Sequence, residues 1–460
     1  MQRLSNKFFS GAAFSSFAAP GYPILWWAGL FSFISSQMQF LLRGILAWDL
    51  TEREGALGLV FLVFGVAMLI STPLGGVASD TLSKRKLLLV TQAMLMGVSV
   101  VMGLVVVAGV VQFWMLLASA AIQGTAFGFF GPARVAIAGE IVGREHLGNA
   151  ISLTLLSMNG TRVFAPALAG VLAGVAAIGI GGAYIVAAVM ATVAFLMLLR
   201  LPDTSPATDG TLGAATTNGA GNEPAKQKPT VNPFAEILDG IRYVRARPPL
   251  RRIVVMSFVV IMFGFNYVSF LPALVEGQYG LSKGWVGGFS SFSALGAVAV
   301  SIPVAARADS PDGRKIMIVA GLVFGTGVMA LGAAPVVWMA LASVALAGLG
   351  TTAFQSLSNT IALQLADDAH QGRVQSLMML AFAGFGIAAF PLGALAELVG
   401  IQTAIVGMGL VTAGAVVVYV VLEGGRKAFA PVSRLENPPL SPEVLDFNGS
   451  KDKRQVTAAA

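Results

Sequence analysis

Residues 76–86 read Gly76-Val77-Ala78-Ser79-Asp80-Thr81-Leu82-Ser83-Lys84-Arg85-Lys86, and they separate two long apolar runs, 56–78 and 87–110. Each run approaches or exceeds the roughly 20 apolar residues that an α-helix needs to cross a bilayer. A short charged loop between two such runs makes a hairpin of spanning helices. The motif returns later as Arg307-Ala308-Asp309-Ser310-Pro311-Asp312-Gly313-Arg314-Lys315, again between apolar runs. Asp80, Arg85 and Lys86 map onto Asp309, Arg314 and Lys315 at one constant offset. A second echo pairs His146, Gly148 and Pro166 with His370, Gly372 and Pro391 at nearly the same offset. The chain is therefore a duplicated unit, and internal repeats of this kind put a binding site midway between the two halves.

Composition agrees with a membrane as solvent. Of the 460 residues, 56% are hydrophobic and 11% charged, whereas soluble domains carry about 25% charged residues. Only helices or closed barrels satisfy the backbone in lipid, and the long runs without period-two alternation exclude a barrel. Twelve spans follow: 23–48, 56–78, 87–110, 112–131, 149–175 and 179–200 in the first half. The second half has 251–276, 284–306, 315–334, 336–360, 373–396 and 400–423. The expected fold is an all-α membrane protein of two pseudo-symmetric six-helix bundles.

Basic residues fix the orientation through the excess of Lys and Arg on cytoplasmic loops. With both termini inside, 25 of the 29 Lys and Arg are cytoplasmic, the exceptions being Arg43, Arg53, Arg162 and Lys283. The same clustering accounts for the net charge of +7 without nucleic acid as a partner. Residues 1–22 form a cytoplasmic segment with no convincing signal-peptide cleavage site. Residues 23–200 and 251–425 are the bundles, 201–250 the cytoplasmic linker, and 426–460 a polar tail. Within the linker, 234–247 places Phe234, Ile237, Leu238, Ile241 and Val244 at helical spacing, with charged residues on other faces. That pattern predicts an amphipathic helix on the membrane surface.

The loop Gly76-x-x-x-Asp80-x-x-Ser83-Lys84-Arg85 resembles the signature cytoplasmic loop of the major facilitator superfamily, with Thr81 and Ser83 departing from its usual Arg and Gly. Four further stretches resemble the subgroup of the enterobactin-exporter type. They are Gln37-Met38-Gln39 with Leu46-Ala47-Trp48-Asp49-Leu50-Thr51; Gly131-Pro132-Ala133-Arg134; Leu147-Gly148-Asn149-Ala150 with Arg162 and Pro166; and Gly240-Ile241-Arg242-Tyr243-Val244-Arg245. The resemblance implies the major facilitator fold, small-molecule export by alternating access, and proton antiport.

Ionisable and amide groups within spans are costly in lipid and are functional candidates by default. Thirteen residues past Asn149, Arg162 lies roughly 20 Å into its helix, near the midplane. Its guanidinium keeps its charge and must meet an anion, carbonyls or water. Asn159 shares its face, and Pro166 frees a backbone carbonyl nearby. Gln37, Gln39, Gln123, Asn266, Tyr267, Gln355 and Asn359 are further candidates for the cavity wall, each equally suited to joining helices. Arg43 lies nearer the outer end, where its side chain can snorkel to the interface. Glu276 and Glu397 read as solvated outer-end groups. At the cytoplasmic side, Gly76, Asp80, Lys84, Arg85, Lys86, Asp309, Arg314 and Lys315 form a candidate gating loop, with carboxylates beside basic residues at helix ends.

Several chemistries are excluded. With no cysteine there is no disulfide, thiolate metal site or cysteine nucleophile. His146 and His370 both fall between apolar runs, so no metal centre is expected, and no cofactor. A membrane enzyme would need converging acids or histidines inside the spans, and these are missing. No Gly-rich phosphate loop ending in Lys and Ser/Thr supplies ATP drive. The expectation is a monomeric secondary transporter in a bacterial inner membrane. It would export a small amphipathic or anionic molecule, drug-like or siderophore-like, with the proton as coupling ion. The alternatives are import of a metabolite or lysolipid, and a non-transporting sensor or scaffold.

Overall fold

The computed structural model describes residues 12–201, 233–305, 307, 310–367 and 370–429. Among the candidates named above, Asp309 and the side chains of Asp80 and Asn159 lie outside the described residues. So do residues 1–11, most of the linker and the tail beyond 429.

The first half contains α1 (Tyr22–Thr51), α2 (Glu54–Thr81), α3 (Lys84–Val107), α4 (Phe113–Gly143), α5 (Asn149–Gly174) and α6 (Gly179–Leu199). The linker supplies α7 (Pro233–Ala246). The second half contains α8 (Pro248–Phe270), α9 (Gly284–Ala305), α10 (Gly313–Ala333), α11 (Val337–Gln364), α12 (Gln371–Val399) and α13 (Ile401–Leu422). Among the described residues, eleven helices are long and apolar enough to cross a membrane; the helix equivalent to the eleventh expected span, α12, is 29 residues long and has a shorter apolar stretch at Ala383–Val399. The protein is a multi-pass integral membrane protein.

Helix ends follow local chemistry. Pro23 and Pro248 sit in the first turns of α1 and α8, where a missing N–H costs nothing. Ser83 caps α3 by accepting from the Lys86 N–H. Gly143, at φ 72°, breaks what would be one continuous rod into α4 and α5. The fourth span was expected to stop at 131. Its helix continues to Gly143, because an apolar run ends at the first charge whereas a helix does not.

The duplication survives in three dimensions. Pro73 lies inside α2 and Pro303 inside α9, the equivalent helices of the two halves. Arg85 at the start of α3 donates through Nη2 to the Leu199 carbonyl at the end of α6, 2.8 Å away. Arg314 at the start of α10 donates through Nε to the Tyr419 hydroxyl near the end of α13, also 2.8 Å away. In each half the third helix is thus tied to the C-terminal end of the sixth, where a cation also meets the negative end of the dipole.

The halves meet mainly through α2 against α12 and α5 against α9. Backbones touch directly there. A Cβ on Gly170 would fall 2.0 Å from the Gly287 Cα, and one on Gly58 would fall 2.4 Å from the Ala389 carbonyl oxygen. Lipid gives no hydrophobic drive to helix association, so this close packing at small residues supplies the attraction.

Replacing Gly170 by Ala should open this seam. Overpacking of this kind costs about 1–3 kcal/mol, so the outer-closed population should fall. The cysteine-free chain allows a single reporter, Val268→Cys, to be labelled from outside with an impermeant maleimide. Faster labelling in the Gly170→Ala background is expected; an unchanged rate would show that the seam does not hold the outer face shut.

Candidate functional site

Three layers cross the interface between the halves. The outermost is ionic. Asp49 at the end of α1 accepts from Lys283 just before α9. Arg53, in the tight turn after α1, donates to both oxygens of Glu397 on α12, at 3.2 and 3.3 Å, and the Gly55 N–H adds a third bond at 3.0 Å. The turn forces Glu52 to φ 49°, a conformation L-residues avoid. Glu276 lies close enough to feel Asp49 and Lys283, and its Oε1 is buried without a hydrogen-bond partner. Glu276 and Glu397 were expected to be solvated: Glu397 is exposed, as expected, and also takes part in this closure, whereas Glu276 is partly buried. Exposed ion pairs contribute little stability, so they set register while the glycine seams supply the packing.

Beneath the ion pairs lies an aromatic layer drawn from both halves. Phe40 of α1 sits 4.7 Å from Phe61 of α2 and 6.0 Å from Phe385 of α12; Phe265 of α8 sits 5.8 Å from Phe385. This layer was not anticipated, since 29 phenylalanines in an apolar chain carry no individual signal.

The third layer is polar and lies at mid-depth. Arg162 of α5 donates through Nη1 to Oε1 of Gln355 on α11, at 3.4 Å, so a guanidinium of one half meets an amide of the other. Gln355 Nε2 is buried without a partner. Asn359, one turn along α11 on the same side, and Gln37 of α1 are partly exposed. Of the ten cavity candidates, Arg162 and Gln355 are brought together across the halves.

Gln39, Arg43, Gln123, Asn266 and Tyr267 join helices. Gln39 is fully buried and donates to Ser99 of α3 at 2.7 Å and to Ser35 at 3.1 Å. Ser32, one turn earlier, donates to Gln92 at 2.6 Å, and Gln92 reaches the Ala191 carbonyl on α6. This ladder stitches α1, α3 and α6 together. Arg43 does not snorkel: it is 1% exposed and donates to Gln123 of α4 at 2.6 Å, because its side of α1 faces the bundle. Asn266 donates to the Met262 and Phe385 carbonyls. It does so where the chain through α8 and beyond passes from π-helical Val260–Gly264 to 3₁₀ Phe265–Phe270 and π-helical Ala273–Gln278. Such departures shift backbone bonds out of register, and the amide fills one gap. Tyr267 meets Ser293 of α9 at 3.1 Å.

The described partners of the gating-loop residues lie within one half. Lys84 binds Glu140 of α4. Arg314 lies 3.5 Å from Glu423, which also accepts from Arg252 of α8 at 3.0 Å. Lys315 pairs with Asp312 at 3.1 Å. A further buried cation, Arg134, went unmarked as a site residue: its guanidinium lies 4.9 Å over the Phe33 ring and packs on Gly29, where a Cβ would displace it.

The linker helix is docked, not merely laid on the membrane. Tyr243 stacks on His370 at 4.0 Å, and the Arg247 guanidinium lies 4.5 Å from the centroid of the Tyr243 ring. Arg247 binds both oxygens of Asp367, whose own N–H donates to the Tyr243 hydroxyl at 2.9 Å. The expected single apolar face is therefore split. Val244 is buried with Gly240 and Tyr243, whereas Leu238 and Ile241 are exposed.

Two helical bundles related by an internal repeat, sealed together at one end and joined by polar groups at mid-depth, define a membrane transporter fold. The sequence profile of the Major Facilitator Superfamily matches residues 25–391, with a second match over 284–451. The chain belongs to that superfamily. It is similar to the enterobactin exporter EntS of Salmonella typhimurium, 27% identical over 395 residues, spanning 84% of this chain and 88% of the relative. It is also similar to EntS of Shigella flexneri, 24% identical over 381 residues, spanning 81% of this chain and 85% of the relative. Among solved structures, a POT family transporter in complex with a thioalcohol-conjugated peptide aligns with TM-score 0.65 at 13% identity, over 88% of this chain and 96% of that one. A bacterial homologue of the human lysosomal transporter Spinster, inward-facing and unoccupied, aligns with TM-score 0.63 at 14% identity, over 92% of this chain and 99% of that one. As a superfamily member the chain works in a lipid bilayer on a small-molecule substrate.

Docking of α7 should depend on pH. Burial, and then the Arg373 charge, push the His370 imidazole below its ordinary 6.5, and Arg247 holds the Asp367 carboxyl below its ordinary range. Both groups have depressed values, so their contribution to docking is present above the ordinary values and is lost as pH falls through the depressed ones. Hydrogen exchange across 233–246, corrected for intrinsic rate, should show protection falling as pH drops past 6.5. A His370→Phe variant keeps the ring stack and should lose that response; an identical response in the variant would assign it elsewhere.

Proposed function

We propose that this protein is a secondary active exporter of a small amphipathic or anionic molecule, siderophore-like or drug-like, driven by proton antiport. It acts as a monomer in a bacterial inner membrane with both termini cytoplasmic. The observation that carries the reading is the Arg162–Gln355 contact, which sets a fixed positive charge between the halves at mid-depth beneath a closed outer face. A guanidinium there offers a fork of donors to an anionic or oxygen-rich solute, and the phenylalanines above it accept apolar parts. The EntS relatives support export over import. The clustering of Lys and Arg supports the orientation.

Alternating access needs a second closure on the cytoplasmic side. The loop around Asp80 and its repeat around Asp309, with Gly76, Lys84, Arg85, Lys86, Arg314 and Lys315, is placed by sequence to provide it. In this reading the basic residues hold the ends of α3 and α10 in position while the carboxylates form the closing contact. Transport that survives intact in Asp80→Asn would remove that role.

Proteoliposomes with an imposed pH gradient and a panel of siderophores, dyes and antibiotics test the whole proposal. Gradient-dependent flux of at least one compound is expected. Arg162→Ala should weaken its apparent affinity about tenfold to a hundredfold, the cost of one charge-assisted hydrogen bond. Flux unaffected by the substitution would leave transport standing and make Arg162 a strut between helices. Flux that ignores the gradient would exclude proton coupling.

A further inference from the structure

The linker helix α7 carries two opposed faces. Gly240, Tyr243, Val244 and the following Arg247 recur at three- and four-residue spacing and are buried against the second half. Gly240 lies against Leu377 and Arg373 of α12, and Asp239 is 3.8 Å from Arg373. The opposite side presents Leu238 at 52% exposure and Ile241 at 45%, interleaved with exposed Arg242 and Arg245. Nothing in the described protein covers this side.

Its depth is fixed by the next helix. Arg251 lies in the first turn of the spanning segment Pro248–Phe270, and Val255, one turn further in, is 55% exposed. Arg251 is exposed on the same side and donates through Nη1 to the Arg245 carbonyl at 3.4 Å. A guanidinium in the first turn of a spanning helix stands at the level of the headgroups. The contact to Arg245 joins the start of α8 to the end of α7. Basic and large apolar side chains interleaved on one helix face, at that level, have the character of an interfacial helix. The nearby carboxylate, Asp239, sits 3.8 Å from both Arg242 and Arg373 and leaves the patch with net positive charge.

We propose that Arg242, Arg245 and Arg251, with Leu238 and Ile241, form a binding site for anionic phospholipid headgroups of the inner leaflet. The two apolar side chains enter the acyl boundary and the three guanidinia hold phosphate oxygens. Phosphate suits the arginine fork, and the negative leaflet surface attracts such segments. Because the other face of α7 grips the turn between α11 and α12, the site ties the position of α12 to the lipid composition of the membrane. The inference does not depend on the identity of the transported molecule.

Native mass spectrometry of the full chain, released from nanodiscs of phosphatidylcholine with and without phosphatidylglycerol, tests it. The wild type should retain phosphatidylglycerol preferentially, and added salt should lower that preference. The triple variant Arg242→Gln/Arg245→Gln/Arg251→Gln should lose about fivefold in preference per arginine removed. The triple Arg→Lys variant should keep most of it. Leu238→Ser with Ile241→Ser should weaken retention of both lipids. All variants should unfold at the wild-type temperature in neutral detergent, since the side chains are exposed. Equal retention of the two lipids by the wild type, or an undiminished preference in the glutamine variant, would overturn the proposal.

Discussion

Lipid is as apolar as leucine, so burying leucine against leucine does nothing to hold two membrane-embedded bundles together. What holds the halves of this protein is close approach of backbone to backbone, and that is available only where side chains are absent. Gly58 against Ala389 and Gly170 against Gly287 bring the halves into direct contact on both sides of the interface. Contacts of this kind are short-ranged, so they hold only while the two backbones stay in register. The ion pairs of the outer end, the aromatic layer and the mid-depth polar contact all depend on that alignment.

Within each half the logic is different. There the helices are stitched by polar groups that have no solvent to return to. Gln39, Ser99, Ser32 and Gln92 form a ladder through the first bundle, and Arg43 is held by Gln123. In the second, Arg314 and Arg252 share Glu423. Buried polar groups of this sort are expensive to separate, so the helices of each bundle are held together more firmly than the two bundles are held to each other. Rigid halves and a dry seam are the mechanical requirements of alternating access.

Much of this was legible in the residues. Apolar runs counted to twelve spans because the hydrocarbon thickness sets helix length, and the constant offset from Asp80–Arg85–Lys86 to Asp309–Arg314–Lys315 disclosed the duplication. Arg162 stood out because a charge thirteen residues into a spanning helix has nowhere else to go. The pairing of Arg162 with Gln355 was not legible, since their rotational settings depend on how two bundles face each other. The same blindness misplaced Arg43: depth along a helix follows from counting, but the side it faces does not. Arg53, Lys283 and Glu397 looked like ordinary solvated charges because sequence separation hides ion pairs between residues hundreds of positions apart. For α7, periodicity found an amphipathic helix but could not tell that Tyr243 and Val244 would be claimed by protein and Leu238 and Ile241 left outside.

Sequence alone determined the solvent, the all-helical multi-span architecture and the duplicated motif. These depend on hydropathy, length and charge count, which are properties of a chain read one residue at a time. Tertiary structure alone decided which polar residues became struts and which meet across the halves, and that one end of the interface is closed. Those outcomes depend on helix rotation and on which glycine meets which backbone, and no single stretch of sequence contains both partners.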